Sequence, residues 1–293
     1  MANGVRLDQV GYWSEVKLDI LRRYAVEYSK IMAKQKAKAA SFRHWYIDGF
    51  AGAGNHISRE SGEEILGSPK IALSVDPPFD SYLFVEMDSE RAKVLRDLNG
   101  WNGRQVQVEE GNCNDVLLKV LPEIRYDRYQ RALCVLDPYN LNPDWEIVRL
   151  AGQSGTIEIF LNFMVMDLKM NIHLGNPDNV MPSQVERMNR FWGDESWRDV
   201  GYAPDPQMDL FAETGVVKLG SFALVDAYRK RLKDIAGFRY VPEPIPMKNS
   251  TGAEVYYLFF ASPNATGNKI VEDILEKYRR NPLPDRVKPK GKR

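Results

Sequence analysis

Cysteine is scarce in this chain: two of 293 residues, Cys113 and Cys134, both in or beside segments that read as buried. They do not have the spacing of a metal-ligand pair, and a reducing cytoplasm is the expected compartment. Excess charge of either sign is missing too. Forty basic and forty acidic side chains give a formal net charge of zero, so no global field advertises a nucleic-acid partner, and any such contact must come from local patches. No uninterrupted apolar stretch is long enough to span a bilayer, and the opening Met-Ala-Asn-Gly-Val-Arg lacks the apolar run of a signal peptide. There is no internal repeat. What is present is 44% hydrophobic residues, enough for one large core, or for a core with an elaborated lobe.

The chain is organised around Trp45-Tyr-Ile-Asp-Gly-Phe-Ala-Gly-Ala-Gly54. A short apolar run suits a buried strand, and the glycine turn after it lets bare backbone approach a ligand. Three cradles share that layout. A nucleotide-triphosphate loop needs Lys and then Ser or Thr after its last glycine, where this chain has Asn55 and His56. A dinucleotide fold wants a third glycine three places after Gly54, and that position is Ile57. The remaining cradle is the S-adenosylmethionine site of a Rossmann-like methyltransferase, with Asp48 or its neighbours at the amino-acid end and Gly49, Gly52 and Gly54 making room for the sulfonium ligand. An ordinary strand-to-helix turn accounts for this stretch taken alone about equally well.

Before the turn, apolar residues at helical spacing from Val16 to Met32 predict an amphipathic helix, followed by a solvated basic run at Lys34, Lys36 and Lys38. After it, a polar loop over 55–67 leads to a helix start with Ser68 as N-cap and Pro69 at the first helical position. The next strand, Ser81 to Val85, ends in Glu86-Met87-Asp88. A carboxylate there suits the two hydroxyls of a ribose, with Glu86 the first choice and Asp88 the second. An acidic cap on the following helix is the competing account of both. A third short strand, Val106 to Val108, precedes Gly111-Asn-Cys-Asn-Asp115, where either Asn112 or Asp115 suits the adenine amino group.

The fourth strand, Ala132 to Leu136, is a continuous apolar run of the kind found in central parallel strands, and it stops at Asp137-Pro138-Tyr139-Asn140. An amine conjugated to an aromatic ring is a poor nucleophile because its lone pair is delocalised. A carboxylate and a backbone carbonyl accepting its two hydrogens turn that lone pair towards an incoming methyl group, while a flat side chain stacks on the ring. Asp137, the carbonyl of Pro138 and the ring of Tyr139 supply those parts in sequence, and alignment carries much of the rate in methyl transfer. Asp-Pro is also a common turn, which is the structural account of the same residues.

A fifth apolar strand, Thr156 to Val165, is followed by a segment over 171–220 that looks like an inserted helical lobe, with Phe191, Trp192 and Trp197 among Arg187, Arg190 and Arg198. Arginines among aromatics can grip an unstacked base, or the aromatics can be the lobe's own core. A further helix, Ser221 to Ile235, leads to a hairpin, Tyr240 to Met247 and Glu254 to Ala261, and to a last helix, about Lys269 to Tyr278. The expected fold is α/β: a Rossmann-like methyltransferase fold with a mostly parallel seven-stranded sheet and a C-terminal antiparallel hairpin. The expected units are a cofactor-binding core over 1–170, the lobe over 171–220, the remainder of the core over 221–281 and a disordered basic tail over 282–293.

Taken together, Tyr-Ile-Asp-Gly-Phe-Ala-Gly-Ala-Gly, Gly-Ser-Pro-Lys-Ile-Ala-Leu, Phe-Val-Glu-Met-Asp, Gly-Asn-Cys-Asn, Leu-Asp-Pro-Tyr and Phe-Leu-Asn-Phe resemble, in order and spacing, the three-Cys-motif partner family (TcmP), bacterial proteins of the S-adenosylmethionine-dependent methyltransferase class. The resemblance begins at the helix containing Lys17 and covers more than half the chain. Asn112 departs from it, since the family's third motif usually has Asp there. The resemblance implies S-adenosylmethionine as cofactor and a three-Cys-motif protein as partner. The end of the fourth strand is also similar to the (Asp/Asn)-Pro-Pro-(Tyr/Phe) motif of base-amine methyltransferases, without its second proline. The expected cofactor residues are Asp48, Gly49, Ala51, Gly52, Gly54, Glu86, Met87, Asn112 and Cys113, and the expected catalytic residues Asp137, Pro138 and Tyr139. The expected activity is N-methylation of an amine, on a nucleobase of DNA or RNA, with a small-molecule or peptide acceptor and a non-catalytic binding partner as the two alternatives. Lys17 either helps close the cofactor pocket or is a lysine at the edge of the core.

Overall fold

The computed structural model describes residues 7–204, 215–249 and 251–280, so the tail expected over 282–293 lies outside the described residues. Seven strands form one sheet: β1 (Arg43–Asp48), β2 (Ser81–Glu86), β3 (Gln107–Glu110), β4 (Gln130–Leu136), β5 (Ile157–Phe163), β6 (Ile245–Lys248) and β7 (Glu254–Ala261). Their order is β3-β2-β1-β4-β5-β7-β6. The first five are mutually parallel, and β7 runs antiparallel to both of its neighbours. The expected α/β sheet is therefore present, closed by its antiparallel hairpin. Pro246 is tolerated in β6 because that strand lies at the sheet's edge.

The continuous apolar run of β4 has a direct cause, since both faces of the sheet are covered. Ala132, Cys134 and Leu136 face one core, and Leu133 and Val135 face the other. The second core is completed by helices α1 (Tyr12–Lys36), α2 (Ser68–Leu73), α3 (Ser89–Arg96) and, at the chain's end, Ala265–Arg280. Helix α1 buries Ile20, Tyr24 and Tyr28 at helical spacing, and the Tyr24 ring meets Phe160 and Phe260 edge-on at 5.3 and 4.8 Å. Full burial of Ile20 alone is worth about 1.5–3 kcal/mol.

The first core is covered by α4 (Cys113–Val120), α5 (Trp145–Ser154), α6 (Val165–Asn171), α7 (Pro182–Trp192), α8 (Trp197–Gly201) and α9 (Ser221–Asp234). Here the segment expected as a lobe resolves its two accounts. Trp192 and Trp197 are fully buried, and Phe191 stacks on Tyr228 with ring centroids 4.9 Å apart. Arg187 is spent on Asp167 at 2.9 Å, and Arg190 is salt-bridged to Asp144 and Glu186. These aromatics are core residues and present no face to a base.

Two local expectations shift. The stretch over 55–67 is not a plain loop: Asn55–Ser58 pairs antiparallel with Glu64–Leu66 and parallel with Asp8–Val10. These strands escaped notice because they are short and largely polar. The cap of α2 moves back one residue, to Gly67, with Ser68 already inside the helix. A side chain on Gly67 would press on the Gly54 backbone at 3.0 Å, which explains why glycine begins the turn.

Candidate active site

The chain leaves β1 for β2 and β3 on one side, then returns to β4 on the other. Open α/β sheets bind ligands at such a reversal, outside the carboxyl ends of the strands. The glycine turn after β1 sits there, tied to both neighbouring strands: the Gly49 N–H donates to the Val135 carbonyl at 2.9 Å and the Ala51 N–H to the Val85 carbonyl at 3.0 Å.

The glycines differ in what requires them. Gly52 has φ +63°, and a Cβ there would meet nothing within 4 Å. It is a left-handed turn residue facing open space, as a cradle needs. At Gly49 a Cβ would lie 2.7 Å from Cys113 Sγ and 3.1 Å from Leu136 Cδ2. Close packing of α4 on the sheet therefore dictates glycine at 49, in place of the room for a ligand expected from the sequence. Gly54, at φ +79°, supports α2 behind the turn.

At the end of β2 the two acidic residues separate. Asp88 caps α3, its carboxylate accepting from the Arg91 N–H at 2.9 Å. Glu86 turns to the glycine turn: Oε2 accepts from the Gly52 N–H at 2.8 Å and Oε1 from the Asp88 N–H at 2.9 Å. Met87, 75% exposed, projects beside them. After β3, Asn112 is the N-cap of α4, its Oδ1 accepting from the Asn114 N–H at 2.9 Å. That occupies the oxygen expected to meet an adenine and leaves the amide nitrogen. Burial pushes the Cys113 thiol well up, so it acts as a wall and not as a nucleophile.

Beyond β4 the expected catalytic residues are tied into a network. The Asp137 carboxylate accepts from the Lys17 ammonium through Oδ2 and from the Asn162 amide through Oδ1. Burial works against the charge on Lys17, but the charge and hydrogen bond of Asp137, with help from Tyr256, hold its pKa above the ordinary lysine value. The Lys17 Nζ also lies 5.4 Å from the centroid of the Tyr256 ring. Tyr139 is 69% exposed, while its hydroxyl donates to Asp8 at 2.6 Å and Arg91 bonds the other Asp8 oxygen at 2.8 Å. Asp48, fully buried, accepts from the Phe50 N–H at 3.2 Å through Oδ1. Burial raises its pKa to about 7, opposed by neighbouring hydrogen bonds.

These residues border one cleft of about 1440 Å³. Gly49, Ala51, Gly52, Glu86, Met87, Asn112, Cys113, Asp137, Pro138 and Tyr139 line it, while Asp48 and Gly54 lie behind its wall. Helix α1 adds Tyr12, Trp13 and Lys17, strand Asn55–Ser58 adds His56, and β5 and β7 add Asn162 and Tyr256. Sequence reading missed Asn162, although a polar residue inside the buried Ile157–Phe163 run was a signal. Three polar atoms of the lining have no hydrogen-bond partner among the described residues: Tyr12 OH, His56 Nδ1 and Asn162 Oδ1. Unpaired buried polar groups are costly and call for a partner. A polar ligand carrying both donors and acceptors, as S-adenosylmethionine does, fits such a lining. Among the described residues there is no cluster of three metal-ligating side chains, and no helix is long and apolar enough to cross a membrane.

No family model and no curated protein matches this chain. Among solved structures it is similar to protein LPL1258 of Legionella pneumophila str. Philadelphia 1 (DUF519), at 10% identity over 89% of this chain and 92% of that one, with a TM-score of 0.44. A SAM-dependent methyltransferase of Leishmania major aligns at 12% identity over 85% and 82% of the two chains, TM-score 0.34. The putative methyltransferase yhhF of Escherichia coli aligns at 15% identity over 47% and 70%, TM-score 0.27.

Proposed function

We propose that the cleft binds S-adenosylmethionine and that the protein transfers its methyl group to an amine. One observation carries the reading: the Glu86 carboxylate, at the end of β2, is fixed by the Gly52 N–H beside open space over a left-handed glycine. When bound, the cofactor supplies an electrophilic methyl group on a sulfonium. Glu86 uses one lone pair of each oxygen on the backbone and keeps the others for the two ribose hydroxyls. Met87 offers an apolar face to the adenine ring, and Asn112 offers its amide nitrogen.

The acceptor we infer is an amine on a flat ring, presented to Asp137 and the Pro138 carbonyl with its plane against the exposed ring of Tyr139. A nucleobase amine meets that description. In a duplex it must be flipped out first. A small molecule or peptide is the second reading, favoured by the burial of Trp192 and Trp197, which removes the aromatic grip on a strand that the sequence suggested. The resemblance to the TcmP family adds a three-Cys-motif protein as proposed partner, and co-purification of the two tests it.

Calorimetric titration with S-adenosylmethionine and S-adenosylhomocysteine tests the cofactor, with Gly52→Asp as the blocked cradle. The expected result is micromolar binding, worth about 8 kcal/mol, that the variant loses. A folded wild type that binds neither compound would overturn the proposal. Labelled-methyl transfer in cell extract, with and without nuclease, separates the two acceptor classes.

A further inference from the structure

Asn162 is 2% exposed, lies in the wall of the cleft, and belongs to none of the expected site residues. The orientation of its amide is fixed by chemistry. The Asp137 carboxylate can only accept, so the amide nitrogen must face it. The amide oxygen is then turned away from Asp137, and it has no partner among the described residues. A buried acceptor held in place but left unpaired is what a ligand donor would complete.

We propose that Asn162 Oδ1 receives the ammonium group of the cofactor's amino-acid end. This rests on the cofactor reading above. Glu86 at the end of β2 and Asp137 just past the end of β4 lie on either side of β1, about 10 Å apart at two strand spacings. A ligand with its ribose at Glu86 and its chain laid across the glycine turn brings its far end to Asp137 and Asn162. That end is a zwitterion, and the side chains there are matched to it. Asn162 Oδ1 and one remaining lone pair of Asp137 face the ammonium, and the lone pair left on the other Asp137 oxygen stays free for the acceptor. Lys17, which spends one of its three N–H donors on Asp137, keeps the others for the carboxylate. Asp137 thereby acts on the cofactor as a positioning residue, by holding the Asn162 amide, besides its role towards the acceptor.

The test is calorimetry with two ligands, S-adenosylhomocysteine and its deaminated analogue, on wild type and on Asn162→Leu. Wild type should bind the deaminated analogue at least tenfold more weakly. Asn162→Leu should lose at least tenfold towards S-adenosylhomocysteine and less than twofold towards the analogue. Equal losses on both ligands would mean general damage to the cleft and would overturn the proposal. So would unchanged affinity for S-adenosylhomocysteine in Asn162→Leu, including the case where methyl transfer alone falls and the amine received is the acceptor's. If Asn162→Leu does not fold, Asn162→Ser takes its place, and the comparison of the two ligands on wild type still decides whether the ammonium is recognised. A wild type that binds neither ligand removes the cofactor reading itself, and this one with it.

Discussion

Lys17, in the second turn of α1, and Asp137, at the end of β4, form an ion pair that spans 120 positions of sequence. Their side chains are only 14% and 28% exposed, so water screens the pair weakly. Asp137→Ala leaves the ammonium unpaired in the wall of the cleft and should cost about 3 kcal/mol of stability, read from urea denaturation. Lys17→Met combined with Asp137→Ala should recover more than half of that loss, while the proposed methyl transfer should be lost in both the single and the double variant. Additive losses in the double variant would show that the two side chains do not interact energetically.

Gly49 and Gly52 should both lose stability to a methyl group, but for different reasons. Gly49→Ala drives a Cβ against Cys113 and Leu136, an overpacking expected to cost about 1–3 kcal/mol. Cys113→Ala in the same chain should return part of it. Gly52→Ala meets no neighbour but holds an L residue at φ +63°, a backbone strain of about 1–2 kcal/mol that Cys113→Ala should not relieve. Thermal unfolding of the four variants separates the two mechanisms.

Glu158 makes stability depend on pH. It is buried on β5 between the hydroxyls of Tyr24 and Ser262, and burial pushes its pKa up to about 7 despite those two bonds. The folded chain thus keeps a proton that the unfolded chain releases near the ordinary value of 4.5. Between those two values the folded state binds more protons, so this contribution to stability falls as pH rises and is flat above about 7. The stability of wild type relative to Glu158→Gln should drop by on the order of 3 kcal/mol from pH 4.5 to 7.5. A difference constant across that range would show that the carboxyl is not buried neutral.

The sequence exposes the sheet well where a strand covered on both faces is apolar, as Ala132 to Leu136 shows, and there the run ends just before Asp137. It was silent where a residue's partner lies far away in the chain. Glu86 and Asp88 are equivalent carboxylates as letters, and only the positions of the Gly52 and Arg91 N–H groups tell them apart. Asn162 reads as an interruption of a strand until Asp137, 25 positions earlier, is seen to fix its amide. The tryptophans at 192 and 197 look alike as core or as base platform until Trp192 is seen packed on Tyr228 and Arg231 and Trp197 is seen fully buried.

The cleft's walls come from the strand Asp8–Val10, from α1, from the turn after β1, and from the ends of β2, β4, β5 and β7. No single segment carries it, and Asp8 ties the strand Asp8–Val10 to Arg91 on α3 and to Tyr139 after β4. Occupancy is therefore thermodynamically linked to unfolding of the entire fold rather than to the opening of a loop. A small molecule that fills the cleft at a hundred times its dissociation constant adds about 2.7 kcal/mol to global stability. The protein's own melting transition is thus an indicator of what it binds, readable before any acceptor is identified.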